Sequence, residues 1–140
     1  VSLEFPKLHI AIGALVFAPL AFRVLWRMFS DGPAAFKQPV AMQRLTQFVH
    51  VVLLLGISVL IVTGPLAVWT GDRAIEVLTW FSIPSPTGKM ESLHEALEVV
   101  HVVAAKAVLV AVVLHVFGAF KHLVFERQEF AGRMVERKSG

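Results

Sequence analysis

From Phe48 to Trp69 the chain reads FVHVVLLLGISVLIVTGPLAVW, 22 residues without an acid, a lysine or an arginine. A helix of that length covers a hydrocarbon core of about 30 Å, and few other folds can hide so long an apolar run. A second stretch, about Val99 to Phe125, has one charge in its interior, Lys106. A third, about Leu8 to Phe29, holds Arg23 and Arg27 in its last two turns, where long arginines snorkel to the headgroups. Pro19 should kink this helix rather than end it. Across all 140 residues the hydrophobic share is 56% and the mean hydropathy +0.72, against about 45–50% apolar residues in soluble domains. Charged residues amount to only 16% and gather at the ends of the stretches. The expected fold is an all-α transmembrane helical bundle, a single domain over 1–140 with spans at about 8–29, 48–69 and 99–125, followed by a basic tail over 126–140.

The connecting segments SDGPAAFKQP and GDRAIEVLTWFSIPSPTGKMES carry the Gly, Pro and Ser punctuation of loops. The second is expected to hold a short amphipathic helix around Ala74 to Phe81. Trp26 and Trp69 read as interfacial anchors, and Gly13, Gly56, Gly64 and Gly118 as points of close helix approach or of room for a flat ligand. The absence of cysteine excludes disulfides, iron–sulfur ligation and covalent haem attachment. The isoelectric point near 9.7 does not signal nucleic acid, because the basic residues lie at segment ends rather than in an aromatic-laced patch.

Charge orients the spans. Arg23, Arg27, Lys37, Arg44, Lys121, Arg127, Arg133, Arg137 and Lys138 fall on one side, against Asp31, Glu126, Glu129 and Glu136. By the positive-inside rule that side, with the carboxyl terminus, is cytoplasmic, in a bacterial inner membrane. Lys7, Arg73 and Lys89 face Glu4, Asp72, Glu76, Glu91, Glu95 and Glu98 on the other side, net minus three. This arrangement puts the amino terminus outside. With Val1 rather than methionine at its head, the sequence leads one to expect a further helix before Val1, or trimming of a signal-like segment.

The third span contains HVVAAKAVLVAVVLH, from His101 to His115. Fourteen helical residues rise about 21 Å and return to within about 40° of the starting direction, so the two imidazoles share a face at two depths. His94 and His122 extend the same stripe by steps of seven. Ionisable groups at such depth are costly, and here they call for a common partner. A b-type haem held by two imidazoles from facing helices supplies one. His9, near the outer start of the first span, matches the depth of His101. His50, near the inner end of the second, is the local candidate to pair with His115. Lys106 could offset a propionate or pair with a glutamate or a carbonyl. His94 and His122 are candidates to meet propionates, quinone or headgroups. Arg23, Arg27 and Arg44 stand where a cation could polarise a quinone carbonyl or anchor to lipid.

LHIAIGALVFAPLAFRVLWR, RLTQFVHVVLLLGISVLIVTG and HVVAAKAVLVAVVLHVFGAFKHLVFERQEFAGRM together resemble the bacterial cytochrome b561 family of di-haem membrane cytochromes, with LH followed by KH seven residues later as the most specific feature. Members usually have four helices, and these segments match the second to the fourth. The resemblance implies an outer haem held by His9 and His101. It implies an inner haem held by His115 and a histidine of the family's first helix, which is not visible here. That departure leaves His50 as the alternative inner ligand and one or two haems as the cofactor count.

The function expected is transmembrane electron transfer by haem b with quinone as membrane-phase partner, an electron-transfer cytochrome and in some settings a quinone-linked oxidoreductase. Some relatives are similar to superoxide oxidases, which pass electrons from periplasmic superoxide to ubiquinone, although a net negative outer side steers an anion poorly. Alternatives are an electron-relay subunit docking a periplasmic redox partner on the acidic outer face, and a haem-free accessory subunit of a larger complex. A homodimer or larger complex is a further expectation.

Overall fold

The computed structural model describes residues 5–32 and 39–138, with side chains through 125 and at Arg127. Glu4, Lys37 and the side chains of Glu126, Glu129, Arg133, Glu136, Arg137 and Lys138, on which part of the charge argument stands, lie outside the described residues. The elements are helix α1 (Phe5–Phe29), helix α2 (Val40–Thr70), strands β1 (Ile75–Val77) and β2 (Phe81–Ile83), and helix α3 (Glu91–Lys138). All three helices have stretches long and apolar enough to cross a bilayer. The chain is membrane-spanning.

Pro6 sits in the first turn of α1, where a missing N–H costs nothing, and Pro19 and Pro65 lie inside continuous helices. Each helix exceeds its uncharged stretch. α2 starts just after Pro39 and so takes Arg44 into its first turns. α3 is 48 residues long, about 72 Å, more than twice the hydrocarbon thickness. It therefore includes His94 near its outer end and continues past Phe125 through the basic tail to Lys138.

α2 and α3 form the central antiparallel pair, and their seam repeats every seven residues. Gly56 meets Val108, Thr63 meets His101, and Thr70 meets His94; in each layer the two residue numbers sum to 164. A small residue on α2 faces a larger one on α3, the interdigitation of a left-handed helix pair. Val49 continues the α2 row one step inward and is buried. The hydroxyls of Thr46, Ser58, Thr63 and Thr70 each donate to the carbonyl four residues earlier at 2.6–3.0 Å, so none is left bare in lipid.

α1 packs along α2 and against β1, while its backbone nowhere comes within 8 Å of that of α3, Cα to Cα, among the described residues. Phe22, Leu55, Leu109 and Phe117 point outward, the inside-out pattern expected when lipid is the solvent.

The segment expected to form a short helix around Ala74 to Phe81 is instead a β-hairpin, with Ile75 opposite Ile83, Glu76 opposite Ser82 and Val77 opposite Phe81. Its apolar residues fit either a period of 3.6 or a period of two. The β-branched Ile75 and Val77 settle it, because two residues apart on a strand they share one face, and both are buried, Val77 completely. Leu78 takes a left-handed conformation (φ 52°) at the tip, and Trp80 N–H donates to the Val77 carbonyl at 3.0 Å. The loop is anchored to the outer end of α2 by the Ser85 hydroxyl, which donates to the Trp69 carbonyl (2.6 Å), and by Met90 N–H, which donates to the Thr70 carbonyl (2.8 Å).

Candidate functional site

The seam between α2 and α3 aims the histidine stripe of α3 at α2. At the outer level His101 is half-buried, with its Nδ1 2.8 Å from the Thr63 hydroxyl and its Cε1 3.5 Å from where a Cβ on Gly64 would stand. Across from it lies His9 of α1, with ring centroids 6.2 Å apart and ring planes 80° to each other. Two imidazoles that ligate one metal through facing nitrogens, with bonds of about 2 Å, have centroids about 6 Å apart. The centroid separation of the His9–His101 pair matches that of two imidazoles sharing one metal.

The space around that pair suits a flat macrocycle. α1 and α3 keep their backbones apart. Gly13, one turn from His9, has no neighbour within 4 Å of an added Cβ, so it serves no close helix approach and leaves open room beside the imidazole. Gly118, one turn from His115, is equally open, whereas Gly56 fits the expectation of close packing. Gly64 gives its room to the His101 ring.

At the inner level His50 and His115 are brought together, their centroids 5.2 Å apart and their planes tilted by 58°. Both are exposed. This pair is about 1 Å closer than a bridged one, and it belongs to two helices already in contact, so it would have to open to admit a metal. Among the described residues no group of three or more His, Asp or Glu could hold a bare metal ion. Two-point axial ligation is the arrangement on offer.

Arg23 is exposed on α1, fourteen residues from His9 and hence on nearly the same face at the inner level. The Arg27 guanidinium folds back toward Gly32, close enough for its charge to bear on His50. Lys106 is exposed and lies about 140° around α3 from His101, away from the seam, and forms no ion pair among the described residues. His94, read from sequence as a partner for propionate, quinone or lipid, is engaged within the protein: its Nδ1 is 2.8 Å from the Ala67 carbonyl and its Nε2 3.4 Å from Glu98.

Thr63 is the site residue that sequence reasoning passed over, whereas Gly64 was expected to give close approach or room for a flat ligand. The signal that could have found Thr63 is the seven-residue row Val49, Gly56, Thr63, Thr70, which mirrors the row His94, His101, Val108, His115.

Paired imidazoles from separate helices of a membrane bundle are the ligand set that a membrane cytochrome of the b type uses. A family model described as prokaryotic cytochrome b561 matches residues 2–137, and the chain belongs to that family. It is similar to cytochrome b561 homolog 2 of Escherichia coli (strain K12), with 30% identity over 135 residues that cover 96% of this chain and 72% of that protein. No solved structure matches. The family implies b-type haem and electron transfer in the membrane.

Proposed function

We propose that the chain serves electron transfer across a bacterial inner membrane with quinone as partner on the cytoplasmic side: His9 and His101 would hold an outer haem, and His50 and His115 an inner one. The observation that carries this reading is the approach of four imidazoles as two pairs, 6.2 Å and 5.2 Å between centroids, at two depths about 21 Å apart along α3. Haem supplies the one-electron chemistry when bound. The residues of this chain hold its iron, exclude water with an apolar wall and set the local charge. The outer pair has the centroid separation that a shared iron requires, and the inner pair would reach it once its rings part by about 1 Å.

Arg27 is the better placed of the α1 arginines to polarise a quinone carbonyl, since its charge bears on His50; Arg23 flanks the same level. The basic end of α3 supports a cytoplasmic carboxyl terminus. On the other side, segments with net charge minus three favour a basic redox protein as donor over anionic superoxide.

The test is electron transfer into vesicles. The haem-loaded chain is reconstituted with ferricyanide trapped inside and a membrane-impermeant reductant outside. Trapped ferricyanide should be reduced at a rate that falls to the protein-free level in His101→Ala and in His115→Ala. Haem that is reduced from outside while the trapped oxidant stays unreduced would refute a transmembrane path.

A further inference from the structure

We propose that Thr63 is a positioning residue for the outer haem ligand: its hydroxyl fixes His101 in the Nδ1–H tautomer and holds the plane of its ring, leaving Nε2 as the nitrogen that binds iron. This rests on the reading of His101 as an axial ligand.

A single proton sets the tautomer. Thr63 is buried, 5% exposed, and its hydroxyl donates to the Val59 carbonyl at 2.7 Å. A hydroxyl has one hydrogen and two lone pairs. With the hydrogen committed to Val59, the 2.8 Å contact to His101 Nδ1 is made by a lone pair, and the proton in it belongs to the imidazole. The lone pair of His101 is then on Nε2. A ligand imidazole whose other nitrogen donates a hydrogen bond is fixed in orientation and made more basic, the usual outer-shell control of a metal site. Gly64, the next residue, leaves the ring edge clear with Cε1 3.5 Å from an added Cβ, so the same turn of α2 both anchors the ring and makes space for it.

One heptad outward, the same seam shows the opposite outcome. His94 lies beside Thr70, but its Nδ1 is nearer the Ala67 carbonyl (2.8 Å) than the hydroxyl (3.4 Å), and its Nε2 faces Glu98 at 3.4 Å. Both nitrogens of His94 have protein partners, and it clasps α3 to α2. His101 has one nitrogen held by α2 and His9 across from its ring. The same Thr–His layer thus makes a clasp at one step and a poised ligand at the next.

The experiment compares Thr63→Val, Thr63→Ser and Thr70→Val in the full haem-loaded chain, with His101→Ala beside them. Three readouts are taken: the midpoint potential of the outer haem, its low-spin ferric EPR signal, and haem retention on dilution. Thr63→Val should raise the potential, because a less basic imidazole favours ferric iron less. It should shift the EPR anisotropy as the ring plane is freed, and weaken haem binding by about tenfold to a hundredfold. Thr63→Ser should restore all three readouts, and Thr70→Val should leave them unchanged. Should the Val variant fail to fold, Thr63→Ala removes the same hydroxyl without the second methyl and reads the same way. An unchanged potential and EPR signal in Thr63→Val, with loss of the outer haem in His101→Ala, would leave the ligand in place and overturn the role of Thr63. Retention of every haem in His101→Ala would overturn the ligand reading itself.

Discussion

A methyl group added at Gly56 would overlap Cγ2 of Val108, well inside the optimum of about 3.5–4.0 Å for a carbon pair. Val108 is β-branched and held to essentially one χ1 rotamer in a helix, so it cannot swing aside. α2 and α3 must part instead, midway between the two histidine levels. Overpacking of this kind costs about 1–3 kcal/mol. Replacing glycine by alanine also contributes about 1 kcal/mol of helix preference, which would mask the loss in one variant measured alone. Gly64 supplies the control, because a Cβ there stands 3.5 Å from His101 Cε1, an ordinary contact. The preference term is common to both substitutions and cancels in their difference. Gly56→Ala should therefore be less stable than Gly64→Ala by about 1–3 kcal/mol. Thermal unfolding in mild detergent, followed by helical circular dichroism, measures this, and adding Val108→Ala to Gly56→Ala should recover part of the difference through their direct coupling. If Gly56→Ala melts at or above Gly64→Ala, or if Val108→Ala leaves the gap unchanged, the seven-residue seam is not what sets the distance between these helices.

Removing the His94 clasp by His94→Ala should destabilise the outer end of the pair by about 0.5–1.5 kcal/mol, since the Ala67 carbonyl loses its shortest donor and keeps only the longer contacts from the Gly71 N–H and the Thr70 hydroxyl, with haem content unchanged in the pyridine haemochrome assay. Val77→Ala, which truncates a fully buried side chain under the hairpin, should cost about 1–3 kcal/mol in the same melts and raise protease cleavage within 72–89. Arg27→Ala should raise the KM for quinone in a quinol oxidation assay about tenfold, the loss of one charge-assisted contact, whereas Arg23→Ala should change it less; equal effects would argue that both act only as headgroup anchors.

The three spans were legible because lipid imposes a crude and long-range rule: Phe48–Trp69 has to be helical and has to cross. Helix ends were less so. Arg44 lies outside the expected span over 48–69 and Glu91 reads as loop, yet intrahelical hydrogen bonds continue into the interface, and α2 and α3 run through both. The 75–83 hairpin escaped notice because Ile75, Val77, Leu78, Trp80 and Phe81 satisfy two periods at once, and burial against α1 chose between them. Steps of seven along α3 revealed which face its histidines share. Their partners depended on the relative register of α2, which the loop over 71–90 fixes through Ser85 and Met90 and which no single helix encodes. Once that register is known, His50 falls beside His115 and Thr63 beside His101. Thr63 is marked in sequence only by its place in the seven-residue row of α2, and a threonine in a span ordinarily does no more than bond its own helix, so the row gains meaning only against the facing row of α3.

Axial ligation is tested most directly by counting haem. The chain and its His9→Ala, His50→Ala, His101→Ala and His115→Ala variants are purified in mild detergent and assayed by pyridine haemochrome against measured protein concentration. The account predicts two b haems per chain, with His9→Ala and His101→Ala losing one and the same spectral component and His50→Ala and His115→Ala losing the other. Two haems retained in His101→Ala, or none in a folded wild-type chain supplied with haem, would contradict it.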